Sequence, residues 1–350
     1  MHMADALLSP AVGGTMWAVT AGLTIYSARK VKQDLDERKV PLMAVLGAFV
    51  FAAQMINFTI PATGSSGHLG GGMILAILLG PHAAFLTMAS ILTIQSLFFA
   101  DGGLLALGCN IFNMGFFPCF IAYPFIYKKI IGNNPTNARI GTAATLAGVI
   151  ALQLGAFFVV LETISSGISE LPFSTFVLLM QPIHLAIGIV EGIVTAAVVT
   201  FVWKARPEIL EMTEKHLAGE FSMKNVLAGL VIIAVLTGGM LSWFASAYPD
   251  GLEWAMFRTA GSEELADSGY KAHSALAGIQ EKTAFMPDYT FKDNPSAIAE
   301  VAVDEESWPA VNTGTSTAGI IGGALTLLLA GLIGFALKWI GRNREISAGA

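Results

Sequence analysis

Crossing a bilayer as a helix takes about 17–25 predominantly apolar residues, and this chain of 350 residues offers nine candidate runs. They cover residues 11–28, 41–60, 69–85, 84–100, 104–127, 141–165, 172–203, 226–247 and 317–340. Backbone N–H and C=O groups in lipid must be satisfied within the protein, so runs of this kind fold as helices. Composition agrees: 54% of the residues are hydrophobic and only 13% charged, against about a quarter charged in a soluble domain. The expected fold is an all-α integral membrane protein, a polytopic helix bundle of about seven spans plus two in a C-terminal module. The third and fourth runs are separated only by Gly80-Pro81-His82, where proline disfavours a continuous helix.

Basic residues cluster at four places: Arg29, Lys30, Lys32, Arg38 and Lys39; Lys128, Lys129 and Arg139; Lys204, Arg206, Lys215 and Lys224; Lys338, Arg342 and Arg344. By the positive-inside rule these mark the cytoplasmic side. All four fall there only if three crossings lie between His68 and Lys128. The same count puts the N-terminus, His68, Asp101 and the segment from 247 to 315 outside, and the C-terminus in the cytoplasm. That segment holds 12 acidic and 4 basic side chains, which leaves 13 and 15 for the rest of the chain. An acidic extracytoplasmic loop is thus added to a slightly basic membrane body, with no surface for nucleic acid. The chain divides into residues 1–203, a cytoplasmic linker 204–224, and a module 225–350 with two spans and the outer loop. Partial order at best is expected from 261 to 309. Cys109 and Cys119 sit in apolar runs and read as buried structural residues.

The start Met1-His2-Met3-Ala4-Asp5 lacks the basic region of a secretory signal. The Met1 amine, the His2 backbone nitrogen and the His2 Nδ1 can chelate one cation through fused five- and six-membered rings. One more imidazole closes a four-nitrogen plane, and Ser65-Ser66-Gly67-His68 offers one on the same side of the membrane. Square-planar nitrogen favours Ni(II) or Cu(II) over tetrahedral Zn(II) and over the oxygen-seeking Mg(II) and Ca(II).

These residues carry a resemblance. Met1-His2 with Asp5 and Leu8-Ser9-Pro10, Ser66-Gly67-His68-Leu69, and Ile77-Leu78-Leu79-Gly80-Pro81 stand in order along the first part of the chain. Phe99-Ala100-Asp101-Gly102-Gly103-Leu104, Leu107-Gly108, Asn110, Asn113-Met114, and His184-Leu185 with Gly188 and Glu191 continue the series. It resembles the CbiM/NikM family, the metal-capture membrane subunits of energy-coupling-factor transporters for cobalt and nickel. Pro249-Asp250-Gly251-Leu252-Glu253, between two spans, resembles the accessory module of the same systems. The resemblance implies a natural fusion of the two in a bacterial or archaeal cytoplasmic membrane. It implies Ni2+ or Co2+ as cargo, with no further cofactor, bound by the Met1 amine, the His2 backbone nitrogen and ring, and the His68 ring. It also implies two kinds of partner: a transmembrane coupling subunit and cytoplasmic ATPase subunits. Ala6 replaces the family's usual glycine, which bears on the bend of the N-terminal segment. His82 replaces a frequent tryptophan and reads as an interfacial histidine.

Other polar residues have a functional and a plainer reading. Asp101 either orients a ligand imidazole or caps the next helix. Asn110 and Asn113, one turn apart, favour packing and supporting roles. His184 and Glu191, two turns apart, read as a structural or gating pair, since intramembrane polar groups face the bundle interior and usually pair. Ala18 and Gly22 allow a contact with the coupling subunit or ordinary packing within the chain, the latter ranked first. No Gly-x-x-x-x-Gly-Lys-Ser/Thr sequence occurs, so the chain is no ATPase, and no His-Glu-x-x-His occurs, which disfavours a metalloprotease. A proton-coupled metal transporter using His184 and Glu191 as relay, and a metal-sensing receptor, are the alternatives.

Overall fold

The computed structural model describes residues 2–34, 39–133, 135–169, 171–210, 222–263, 265, 269–292 and 309–348, without the side chains of Asp34 and 342–348. In chain order the helices are α1 (Pro10–Asp34), α2 (Lys39–Gln54), α3 (Gly72–Leu79), α4 (Pro81–Phe99) and α5 (Leu107–Ile111). A π-type helix (Phe112–Tyr127), α6 (Lys128–Ile131), α7 (Asn137–Ser166), α8 (Phe173–Ala205) and α9 (Met223–Gly239) follow. The chain ends with α10 (Gly251–Ala260), α11 (Lys271–Thr283) and α12 (Thr313–Ala348). Between α2 and α3, strands β1 (Phe58–Ile60) and β2 (Ser65–Gly67) pair antiparallel, with Phe58 opposite Gly67.

Five helical segments among the described residues are long and apolar enough to cross a membrane: α4, Leu107–Ile131, α7, α8 and Thr313–Gly341. Helices α2 and α9 are apolar but shorter. The run 69–85 is therefore corrected: it does not form a bilayer-length helix. Helix α3 has 8 residues, a rise of about 12 Å. The cause lies outside any local window. Glu191 Oε2 on α8 accepts from the amides of Gly70 at 2.7 Å and Gly71 at 3.0 Å, so these donors are held outside a helix until Gly71, with φ 74°, turns the chain into α3. At the far end Gly80 (φ 80°) and Pro81 separate α3 from α4. The run 104–127 is helical but widened, with Pro118 and Pro124 inside the π-type stretch, where each removes a donor and crowds the preceding turn.

The bundle reverses a soluble protein's polarity. Its exterior carries Leu178, Ile193, Leu332 and Phe335, all exposed, while Gln54, Gln95, Asn110, Asn113, Glu162, His184 and Glu191 are buried inside. Such an arrangement suits a lipid exterior and a polar site within. Small residues set the helix contacts. A Cβ on Gly192 of α8 would lie 2.3 Å from Thr145 Cα of α7, and one on Gly108 would lie 2.7 Å from the Trp17 backbone nitrogen of α1. Helix α12 meets α2 where Gly322 faces the Phe51 ring, and α9 where Gly319 faces Gly238. A Cβ on Gly22 of α1 would meet nothing within 4 Å, and Ala18 is exposed. The first-ranked reading of that pair, packing within the chain, is thus corrected for the described residues. Cys109 and Cys119 are buried free thiols.

Of the stretch 261–309, for which partial order is expected, residues 269–292 include α11, while 264, 266–268 and 293–308 lie outside the described residues. Helix α11 docks on the body through His273 Nε2 at 2.9 Å from the Leu8 carbonyl, and through Gln280, which donates to the carbonyls of Ser96 at 2.9 Å and Gly102 at 2.8 Å. These polar contacts leave little hydrophobic periodicity for a sequence reader to find.

Candidate metal centre

His2 and His68 come together from opposite ends of a 66-residue separation: their rings stack with centroids 5.0 Å apart and planes 20° apart. Two imidazoles on adjacent corners of a plane, with metal–nitrogen bonds of about 2 Å, place their ring centres about 4.4 Å apart. The pair is close to that spacing. His68 follows β2 directly, and its Nδ1 lies 3.0 Å from the Leu69 carbonyl. A carbonyl only accepts, so Nδ1 carries the proton and Nε2 carries the lone pair, the usual arrangement of a metal-binding imidazole. Burial lowers the basicity of both rings, opposed at His2 by Asp101, and takes His68 down to about 3. Both rings are therefore neutral at physiological pH.

The segment after His2 is fixed by its backbone. Asn110 Oδ1 accepts from the Met3 amide at 2.8 Å while Asn110 Nδ2 donates to the Met3 carbonyl at 3.2 Å, a carbonyl that also accepts from Gly103 N at 3.0 Å. Asp5 Oδ1 accepts from the Ala106 amide at 3.0 Å. Gly103 fits only because it lacks a side chain: a Cβ there would lie 1.9 Å from Asp5 Oδ1. Ala6 sits in the short turn Asp5–Leu7 and is not among the residues with positive φ, so the glycine freedom expected to matter there is not used. Met1, the other expected contributor, lies outside the described residues.

A chain of amides links the two ligand segments. His2 Nε2 lies 3.2 Å from Gln95 Oε1, Gln95 Nε2 donates to Gln54 Oε1 at 2.8 Å, and Gln54 Nε2 donates to the Gly70 carbonyl at 2.8 Å. Asp101 Oδ1 stands 3.3 Å from His2 Nδ1, and Tyr289 OH donates to Asp101 Oδ2 at 2.5 Å. The Tyr289 hydroxyl is pushed well above its ordinary range by burial and by Asp101. Gln54, Gln95 and Tyr289 were not anticipated; two buried glutamines inside apolar runs were the available signal.

His184 and Glu191 are corrected as a pair. Glu191 bonds the Gly70 and Gly71 amides, whereas His184 Nδ1 lies 2.8 Å from the Met180 carbonyl on its own helix. Asn113 meets Met3 through the side chain, not the backbone: its Nδ2 lies 4.0 Å from the Met3 sulfur and donates to Glu162 Oε2 at 2.6 Å. His82, away from the centre, makes ring contacts with Tyr26 and Phe120.

The C-terminal segment reaches the same place. Ser66 N donates to the Pro249 carbonyl at 2.8 Å, Ser66 Oγ donates to the Tyr248 carbonyl at 2.7 Å, and Trp254 Nε1 donates to the Thr63 carbonyl at 3.0 Å. Asp250 caps α10, accepting from Leu252 N at 2.7 Å and Glu253 N at 2.9 Å, and Glu253 Oε2 accepts from Asp250 N at 2.9 Å. This capping box is a local sequence signature. It aims the Pro249-Asp250 turn at the His68 loop.

Fold and site together define a polytopic membrane protein whose first residues fold back into its polar interior beside a second imidazole. The chain belongs to the family described as the cobalt uptake substrate-specific transmembrane region, CbiM, which matches residues 2–209, and it carries a PDGLE domain at residues 224–339. It is similar to a putative fused nickel transport protein NikMN of Archaeoglobus fulgidus, 32% identical over 98% of this chain and 100% of that protein. The fused nickel transport protein NikMN of Rhodobacter capsulatus is 32% identical over 67% of this chain and 71% of its own. A crystal structure of a transition metal transporter superposes with a TM-score of 0.52 at 31% identity, covering 58% of this chain and 93% of that one.

Proposed function

We propose that this protein is the substrate-binding membrane subunit of an ATP-driven energy-coupling-factor importer for Ni2+ or Co2+, with a lean to nickel. The observation that carries the reading is the pair of neutral imidazoles, His2 and His68, stacked 5.0 Å apart. The Met1 amine and the His2 amide nitrogen supply the other two corners of the plane. Fused relatives named for nickel support the lean. His2 Nδ1 lies 3.3 Å from Asp101 Oδ1, so the metal enters beside this carboxylate, whose negative charge favours a cation there.

In this reading the N-terminus, His68 and Asp101 face outward and the C-terminus lies in the cytoplasm, which requires the short α3 to complete the third crossing from a loop buried within the bundle. The membrane coupling subunit docks on the outward stripe Gly14, Ala18 and Gly22 of α1, where added side chains at both glycines would meet open space. Cytoplasmic ATPase partners supply the energy. Residues 1–203 capture the metal, 204–224 link, and 225–350 help load or gate the site, with stabilisation of the loaded site the alternative, through the Pro249 and Tyr248 contacts with Ser66.

Calorimetry of Ni(II) and Co(II) on protein with an untagged N-terminus tests the capture site, alongside His2→Ala, His68→Ala and a form with one added N-terminal glycine. Tight binding lost in all three supports the terminal chelate. Undiminished binding to the glycine-extended form refutes it. Uptake that follows a proton gradient without ATP would favour a secondary transporter instead.

A further inference from the structure

His184 is an interior histidine, 1% exposed, whose outer ring nitrogen has no hydrogen-bond partner among the described residues. Its Nδ1 bonds the Met180 carbonyl at 2.8 Å, so the proton resides on Nδ1 and a bare lone pair remains on Nε2. Buried acceptors are nearly always satisfied, and an exception calls for a cause. Two glycines shape the space beside it. A Cβ on Gly251 would lie 2.6 Å from Ile183 Cγ2 and 3.3 Å from His184 Cε1, and a Cβ on Gly67 would lie 2.4 Å from Ile187 Cγ1. These approaches bring the His68 loop and the Pro249-Asp250-Gly251 turn onto the same face of α8. They leave a cavity of about 10 Å³ lined by His68, His184, Asp250, Met114 and the two glycines. That volume suits a single ion or a single water.

We propose that this cavity is a second metal position, in which His184 Nε2 replaces a His2 nitrogen while His68 stays bound, with the Asp250 carboxylate as an oxygen ligand. The inference rests on the reading of His68 as a capture ligand. Its donor set differs in kind from the capture plane: two imidazoles and a carboxylate, with the Met114 thioether on the wall, instead of four nitrogens. Such a mixed set suits tetrahedral or octahedral geometry better than a square plane. A carrier that must release its cargo needs two arrangements of unequal affinity, and a step from a plane to a mixed site provides them. The exchange makes bonds from His184 Nε2 and the Asp250 carboxylate and breaks those from the Met1 amine, the His2 amide nitrogen and the His2 ring, with protons from solvent returning to the His2 amide and the Met1 amine.

The experiment uses the full chain in detergent with Co(II) as probe, comparing wild type, His2→Ala, and His2→Ala combined with His184→Gln. His2→Ala is expected to keep binding about 100-fold weaker than wild type, with the intense visible absorption of four-coordinate Co(II), and adding His184→Gln is expected to weaken it at least tenfold further. X-ray absorption of Co-loaded His2→Ala, in which His184 is intact, should show two imidazoles with an oxygen ligand. Loss of all binding in His2→Ala, residual binding indifferent to His184→Gln, or a spectrum with fewer than two imidazoles would overturn the proposal and leave the cavity to a water. Wild-type affinity in His2→Ala would refute the capture plane itself, a result separable from any effect of His184.

Discussion

Glu191 anchors the metal loop from below, and its removal has a calculable effect. One carboxylate oxygen accepts both the Gly70 and Gly71 amides, at 2.7 and 3.0 Å, in a position 2% exposed. Glu191→Ala orphans two buried donors at about 1–3 kcal/mol each, or about 2–6 kcal/mol in total if the loop stays in place. The loop relieves that penalty by moving its amides toward water, and His68, two residues away, moves with it. Metal binding must then restore the native path. If about 2–4 kcal/mol is drawn from binding, nickel affinity falls about 30- to 1,000-fold at 1.4 kcal/mol per decade. Glu191→Gln keeps an acceptor oxygen in place and should lose no more than about tenfold. The assay is calorimetry of Ni(II) with both variants, paired with thermal unfolding without metal. An alanine variant that folds, melts lower and still binds nickel like wild type would refute the idea that Glu191 shapes the site.

Further outcomes follow from other contacts. Asn110→Ala, which strips partners from both the amide and carbonyl of Met3, should weaken nickel binding by about 2–3 kcal/mol, and Asn110→Asp, which keeps the acceptor, by less; parallel titrations decide. Since burial lowers His2 below its ordinary value and His68 to about 3, neither ring needs to lose a proton between pH 6.5 and 7.5. With an ordinary α-amino value of about 7.7–8.0, log affinity for nickel should rise by about two per pH unit in that window and by about one above pH 8; a slope near three between pH 6.5 and 7.5 would show that a ring titrates there. Gly251→Ala places a Cβ 2.6 Å from Ile183 and should lower stability by about 1–3 kcal/mol, with hydrogen exchange increasing first in α10 and the His68 loop. Asp250→Ala removes both capping acceptances and should destabilise α10 by about 0.5–2 kcal/mol, measured the same way.

The helical membrane character was legible because apolar length is a local property, and the meeting of His2 with His68 because the family resemblance and a shared side of the membrane joined two residues that spacing alone does not. The third run was misread for the opposite reason. Its hydropathy is that of a span, but the partner of the Gly70 and Gly71 amides sits 120 residues away, on Glu191. His184 and Glu191 look like a pair at helical spacing, yet each finds a nearer partner: a carbonyl one turn back for His184, and a loop backbone for Glu191. Helix α11 was missed because its docking groups, His273 and Gln280, are polar and make no apolar stripe. Gln54 and Gln95 were legible as oddities within apolar runs, but nothing in the sequence joined them into one relay.

The Tyr248 and Pro249 carbonyls that receive Ser66 also bear on why a single chain carries both modules. As separate polypeptides, the body and the accessory segment would form these bonds only after meeting in the membrane, at whatever density each happened to be made. Tethering turns that encounter into an intramolecular one, at an effective concentration that can reach the millimolar range. The polar contacts at Ser66 and the packing of α9 and α12 on α2 then form together without a search. Cutting the chain between residues 210 and 222 should therefore leave a pair whose association, and whose protection of the His68 loop, varies with expression level, whereas the intact chain shows no such dependence.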